Sequence, residues 1–200
     1  MIDERAEALS YINGETRINK IHEYRAVYQM ARYWIECGED DYTIRKKIQA
    51  WAKAYDHYLT FSIQKCIASA RHAKRLRCDN VVYISQADID EINKRFDQKN
   101  SKYVALAVIA YAKVAADKRR IADISMVGLS AWLGIDYTTM TRRIKEMESY
   151  SLIRRIDTSN EKRSQRNSVS RFQFLIPIEN IGEYQLRGNN IDALANQILS

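Results

Sequence analysis

The sequence predicts a mainly α-helical protein with β-structure confined to short pieces. Its 200 residues hold a single proline, Pro177, and only six glycines, so breakers are scarce and loops must be short. Apolar residues recur at three- and four-residue intervals over long stretches, which is the period of a helix with one buried face. Hydrophobic residues make up 46% of the chain, enough to bury a core in one domain or in two small ones.

Residues 16–37 place Ile18, Ile21, Tyr24, Tyr28, Ala31 and Ile35 at helical spacing, predicting one amphipathic helix that ends at Gly38, a candidate C-cap. Asp40 or Asp41 can cap a second helix carrying Ile44, Ile48, Trp51 and Tyr55. Thr60 or Ser62 can open a third, running through Ile63, Ile67 and Ala70 to Leu76. Trp34, Trp51 and the tyrosines of this part are expected to fill the core of a small bundle, since aromatics supply large buried area. Cys37, Cys66 and Cys78 are odd in number, widely spaced and without a CxxC pair, which predicts reduced, buried thiols. Cys66, His72 and Cys78 recur at six-residue intervals that point to different helix faces, so no metal site and no cofactor is expected.

Between Lys65 and Arg77 the chain has Lys65, Arg71, Lys74, Arg75 and Arg77 and no acid. One reading is a solvated face whose last-turn charges favour the helix dipole; the other is a patch, Arg71, Lys74, Arg75 and Arg77, that contacts phosphate. Both stay open at this point.

The texture changes near Asp79. Val81 to Ile84 is β-prone, and Ser85 with Asp88 has the spacing of a capping box opening a helix through Ile89, Ile92 and Phe96. Residues 102–116 form a further apolar helix with Tyr103, Leu106, Ala107, Ala110 and Val114. In "IADISMVGLSAWLG" an extended piece leads into a short helix that Gly134 can end in a left-handed conformation. Asp136 then caps the next helix, with Met140, Ile144 and Met147 facing in and Tyr137, Thr138, Thr141, Arg142 and Lys145 facing out. A short helix, a tight turn and a second helix hold the second helix where it can project into a major groove. Thr suits thymine methyls and base edges, Arg suits guanine, and Lys suits phosphate.

Charge adds to this. The net charge is +7, and the excess sits mainly in residues 101–200, with 15 Lys and Arg against 10 acids. A basic half-chain implies a polyanionic partner, with nucleic acid ahead of an anionic membrane surface.

The stretch "LSAWLGIDYTTMTRRIKEM" resembles the helix-turn-helix of bacterial and phage regulators, in which a Leu-Gly-Val/Ile turn precedes Ser/Thr-Val-Ser-Arg and an aliphatic residue. The matching residues are Leu133, Gly134, Ile135, Thr139, Met140, Thr141, Arg142 and Ile144. Residues 152–157 and 168–176 can follow as two strands joined by the basic "TSNEKRSQRN". A helix-turn-helix with such a hairpin resembles the winged-helix family over roughly residues 80–176. The resemblance implies that the hairpin tip, Lys162, Arg163 and Arg166, lies on a phosphate backbone or minor groove. Family members often have Gly before the first wing strand, where this chain has Ser151, and a non-glycine at positive φ costs on the order of 1 kcal/mol.

The expected layout is a helical N-terminal bundle at 1–78 for oligomerisation or partner binding, a winged helix-turn-helix at 79–178 and a helical extension at 179–200. In that extension Ile191, Leu194, Ala195, Ile198 and Leu199 share a side, suited either to core packing or to a homodimer. No run approaches the roughly 18 apolar residues of a membrane span, and the first residues lack a signal-peptide pattern, so a cytoplasmic location is expected. There is no Gly-rich phosphate loop, GxSxG or HExxH, and catalysis is not expected. The resulting expectation is a sequence-specific double-stranded DNA binder, a transcriptional regulator of phage, plasmid or bacterial origin. The alternatives are a DNA-replication initiation or accessory protein using the same fold, and a winged-helix adaptor or inhibitor that binds protein.

Overall fold

A computed structural model of the chain describes residues 2–16, 18, 20–78, 81–156 and 169–199. These residues are mainly helical, with nine α-helices and five short strands among them. The chain divides into two compact units, Asp3–Asp79 and Asn80–Ser200, the second including Met1–Ile2.

The first unit is all helical: α1 Glu4–Ile12, α2 Glu23–Glu36 behind a 3-10 turn at Lys20–His22, α3 Asp41–Ala54 and α4 Ile63–Arg71. Three of these helices start on a side chain that accepts an orphan backbone N–H: Asp3 from Ala6, Asp40 from Thr43 and Ser62 from Lys65. α2 ends as the sequence indicates, with Gly38 at φ 84°; Gly38 N–H donates to Ile35 O and Glu39 N–H to Trp34 O. Met30, Trp34, Ile44, Ile48, Trp51, Cys66 and Ile67 form the core.

Four expectations need correction here. The long first helix begins at Glu23 and not at residue 16, and α1 precedes it. The third helix stops at Arg71, because residues beyond it find backbone partners elsewhere: Arg32 donates to Lys74 O at 2.9 Å, and Leu76 N–H donates to Glu36. Leu76 is still buried, which explains why the helical spacing seemed to continue. Of the aromatics, both tryptophans are buried, but Tyr24, Tyr42, Tyr55 and Tyr58 are exposed. Cys66 alone of the cysteines is buried, and burial pushes its thiol up to about 12; Cys37 and Cys78 are exposed.

The second unit runs β1 Val81–Ile84, α5 Gln86–Arg95, α6 Lys99–Ala115, β2 Ile121–Ser125, α7 Met126–Leu133, α8 Tyr137–Ser149, β3 Ile153–Arg155, β4 Val169–Phe174, β5 Tyr184–Arg187 and α9 Ile191–Ile198. Both strands after α8 are shorter than the sequence suggests. Ser85 and Asp88 complete the capping box of α5. α6 is the axis of the unit. Every residue from Val104 to Ala110 is fully buried, and α5, α8, α9, β1 and β2 all pack on it. Near its end the side chain of Lys113, almost wholly covered, pairs with Asp88 at 2.9 Å and donates to Glu179 O, so its charge is matched inside the fold.

One sheet has the antiparallel order β2-β4-β3, with Ser170, Phe172 and Phe174 turned inward. The other pairs β1 with β5, also antiparallel. The sequence sets residues 179–200 apart as an extension, yet β5 completes this second sheet, and Ile191, Leu194 and Ala195 of α9 join the same core as α6. β5 was not anticipated. Gly182 allows the return: a Cβ there would stand 2.3 Å from the Ile84 backbone. No helix among the described residues is long and apolar enough to cross a membrane.

α8 ends with Ser151 at φ 55°, Ser151 N–H donating to Glu148 O and Leu152 N–H to Met147 O. This is the glycine-type helix end built with a serine. Ser151→Gly is therefore expected to stabilise the chain by about 0.5 to 1 kcal/mol in urea denaturation. A loss of stability would show that the backbone there is unstrained.

Candidate functional site

The turn between α7 and α8 comes from two residues. Gly134 takes φ 63° and ends α7, with the N–H groups of Gly134 and Ile135 both donating to Ser130 O. Asp136 then accepts the Thr139 N–H at 2.9 Å and starts α8. Bonds from the Thr139 hydroxyl and N–H hold the Asp136 carboxyl below the usual carboxylate range.

α8 presents its two sides as expected, with one exception. Met140, Ile144 and Met147 are buried against the core. Tyr137, Thr138, Arg142 and Lys145 are exposed, and neither Arg142 nor Lys145 has a hydrogen bond or ion pair among the described residues. Thr141 is the exception: it is half-buried, and its hydroxyl donates to Tyr137 O at 2.9 Å. Its hydroxyl proton is already used, so it is less available for base edges than the sequence suggests.

The neighbouring Arg143 was not singled out, although it lies about 100° round the helix from Arg142. It is buried, and its Nη1 reaches Gln98 Oε1 at 3.0 Å, Ser101 Oγ at 2.8 Å and Glu146 Oε2 at 2.9 Å. This network ties α8 to α6. It also turns Glu146 away from the outer face, while Glu148 pairs with Arg155 at 3.3 Å. Both acids of α8 are thus engaged, and its outward side keeps positive charge. In the adjoining sheet, Arg155 lies over Phe172, and Arg171 faces Asp123 across the strands at 2.8 Å. Lys162, Arg163 and Arg166, which the sequence places at the tip of an expected wing, lie outside the described residues.

The second basic cluster is broken up and rebuilt. Arg71 is the last residue of α4 and donates to Asp41 at 2.7 Å. Arg77 is paired with Glu4 at 3.3 Å. Lys74 and Arg75 lie beyond the helix, exposed, with no side-chain partner among the described residues. The dipole reading therefore holds for Arg71 alone. Burial would raise the Glu4 carboxyl, but Arg77 and Arg32 beside it bring it down to about 2. Arg5 and Arg32 join Arg71, Lys74 and Arg75 in lining one cavity of the helical unit. No local signal could have linked residues so far apart in sequence.

A second cavity in the same unit, about 540 Å³, is lined in part by Glu23, Trp51 and His57; Glu23 meets His57 Nδ1 at 2.9 Å and Trp51 stacks on the imidazole. Among the described residues no three His, Cys, Asp or Glu side chains stand together as a metal site.

Two outcomes follow from these contacts. Arg143→Ala is expected to destabilise the second unit by about 2 kcal/mol, since it removes the cation that answers Glu146 and the bonds to Gln98 and Ser101, while Arg142→Ala should change stability by less than about 0.5 kcal/mol. Urea unfolding of the two variants side by side separates them; equal effects would place both arginines on the surface. Glu4 sets a pH dependence. Its folded carboxyl titrates near 2 against an ordinary 4.5, so its ionisation stabilises the fold above about pH 4.5, and that contribution, about 3 kcal/mol, fades as pH falls towards 2. Glu4→Gln should flatten stability in that window relative to the parent chain, and parallel curves would remove Glu4 as the cause.

Comparison of the chain with protein-family models, with curated proteins and with solved structures finds no match, so what it does has to be read from these side chains.

Proposed function

We propose that the chain is a sequence-specific double-stranded DNA-binding protein, a transcriptional regulator that acts through a winged helix-turn-helix. In this reading α7 and α8 are the helix-turn-helix, β3 and β4 are the wing strands, and β2 is the third strand of the small sheet. α8 is the recognition helix. Arg142 reads a base edge, Lys145 meets phosphate, and Tyr137 and Thr138 flank them.

The observation that carries the reading is the two-sidedness of α8. Its inner residues and Arg143 fix it to α6, both of its acids are tied up in ion pairs, and Arg142 and Lys145 are left unpaired on an exposed face. Keeping cations solvated and acids away from them is what a polyanion surface needs, because each phosphate neutralised by Lys or Arg releases counterions. The Gly134 turn, the hairpin that follows α8 and the basic residues of its loop agree with the same use.

Selection of bound duplexes from a random pool, run at two salt concentrations, tests this. A recovered consensus is expected, and a palindromic one would give a dimer. On that consensus Arg142→Ala should cost about 1 to 3 kcal/mol and relax sequence preference at one position, while Lys162→Ala or Arg163→Ala should weaken all duplexes and flatten the salt slope by about one unit each. Equal loss on consensus and random duplexes for Arg142→Ala would remove its base-reading role. Failure to shift any duplex at low salt would remove the DNA reading altogether.

A further inference from the structure

The cationic run that the DNA reading leaves unused sits on a cavity of about 510 Å³ in the helical unit. Arg5, Arg32, Arg71, Lys74 and Arg75 line it, against a single lining carboxylate, Glu36, which already accepts the Leu76 N–H. Ile35, Ala70 and Ala73 supply apolar wall. Such a gathering of like charge is costly unless something negative answers it. The charges that are answered within the chain are Arg71, by Asp41, and Arg32, by Glu4. Arg5 lies over the Tyr33 ring at 5.6 Å, and Arg5, Lys74 and Arg75 have no carboxylate partner among the described residues.

The site is built and not a loose tail. Arg32 is 8% exposed and donates to Gln29 Oε1 at 2.7 Å, to Glu4 Oε2 at 3.2 Å and to the carbonyls of Lys74 and Arg75. A buried guanidinium thus fixes the backbone from which the two exposed cations spring. Its Nε is buried and has no hydrogen-bond partner among the described residues.

We propose that this cavity binds a small phosphate-bearing molecule, with Arg5, Lys74 and Arg75 on the phosphate oxygens and Arg32 beneath them. Guanidinium and ammonium groups give the strongest hydrogen bonds to phosphate, and a dianion answers several cations where a monocarboxylate answers one. The volume lies within the range of small-ligand pockets, whereas a duplex backbone is met along an open surface. The site lies wholly within Asp3–Asp79 and does not depend on α8 reading DNA.

The test titrates the full chain with inorganic phosphate, pyrophosphate and adenosine 5′-monophosphate, with adenosine as the phosphate-free control. Saturable one-to-one binding of at least one phosphate probe and none of adenosine is expected by calorimetry, together with a rise in Tm at saturating probe. The double variant Lys74→Ala, Arg75→Ala removes two exposed side chains and should keep the unfolding curve of the parent in the absence of probe, weaken that binding by at least about tenfold and lose the rise in Tm. Arg142→Ala, Lys145→Ala should bind the probe as the parent does. No saturable binding of any phosphate probe overturns the proposal, as does unchanged affinity in the double variant. A double variant that loses duplex binding but keeps probe binding also overturns it, and assigns Lys74 and Arg75 to the DNA backbone.

Discussion

Burial of α6 on every side is the constraint from which the rest of the second unit follows. A helix with Val104 to Ala110 wholly removed from water cannot lie on a surface, so other elements must cover each of its faces. α5, α8, α9, β1 and β2 supply that cover. Small residues make it possible: Ala105, Ala107 and Ala110 let neighbours come close, while Leu106, Val108 and Ile109 fill the space between them. Seen from this helix, the C-terminal residues are part of the core by necessity, because without α9 and the β1-β5 pair one side of α6 would face solvent.

The same constraint fixes where α8 can point. Its three apolar residues supply burial, but burial has no direction and would tolerate some rotation about the helix axis. Arg143 removes that freedom, since its bonds to Gln98 and Ser101 have a geometry that a sliding helix would lose. Rotation by one residue would carry Arg142 into the place of Arg143 and Arg143 into that of Ile144, inside the core. It would leave a charge buried without partners, so the polar clamp selects a single face for presentation.

How far the sequence could be read depended on the range of the interaction that decides each feature. Caps were legible because their chemistry is local: Asp40, Ser62, Ser85 with Asp88, and Asp136 all act within three residues of themselves. Gly38 and Gly134 were legible for the same reason, and so was the inward stripe Met140, Ile144, Met147. α1 escaped because a carboxylate, Glu7, is buried on it beside Ala8 and Tyr11. Glu7 is covered there with Tyr11, Arg25 and Gln29 bonded to it, a pattern that hydrophobic spacing reads as solvent-facing. β5 escaped because its pairing with β1 spans about half the chain and the alternation of Tyr184–Arg187 lasts for only four residues. The end of α4 was misplaced since Leu76 keeps the apolar period after the backbone has left the helix. The exposed residues of α8 other than Thr141 follow the helical spacing of the sequence, but Arg143 and the Arg5–Arg32 side of the basic cavity do not, because a charge announces its presence in a sequence and not its partner.

That last distinction explains why the two basic regions differ in character. In α8 the cations lie one turn apart on a surface, and the acids nearest to them are drawn off by Arg143 and Arg155, so the exposed charge can meet a partner of any length. In the helical unit the cations converge on a half-open cavity from α1, α2, α4 and the segment beyond it, and a buried Arg32 holds the backbone of Lys74 and Arg75. Open presentation suits a polymer of phosphates, and convergence suits one phosphate group. Composition counts both as net positive charge, and only the placement of the acids separates an open basic face, suited to a polyanion, from a convergent cluster suited to a single small one.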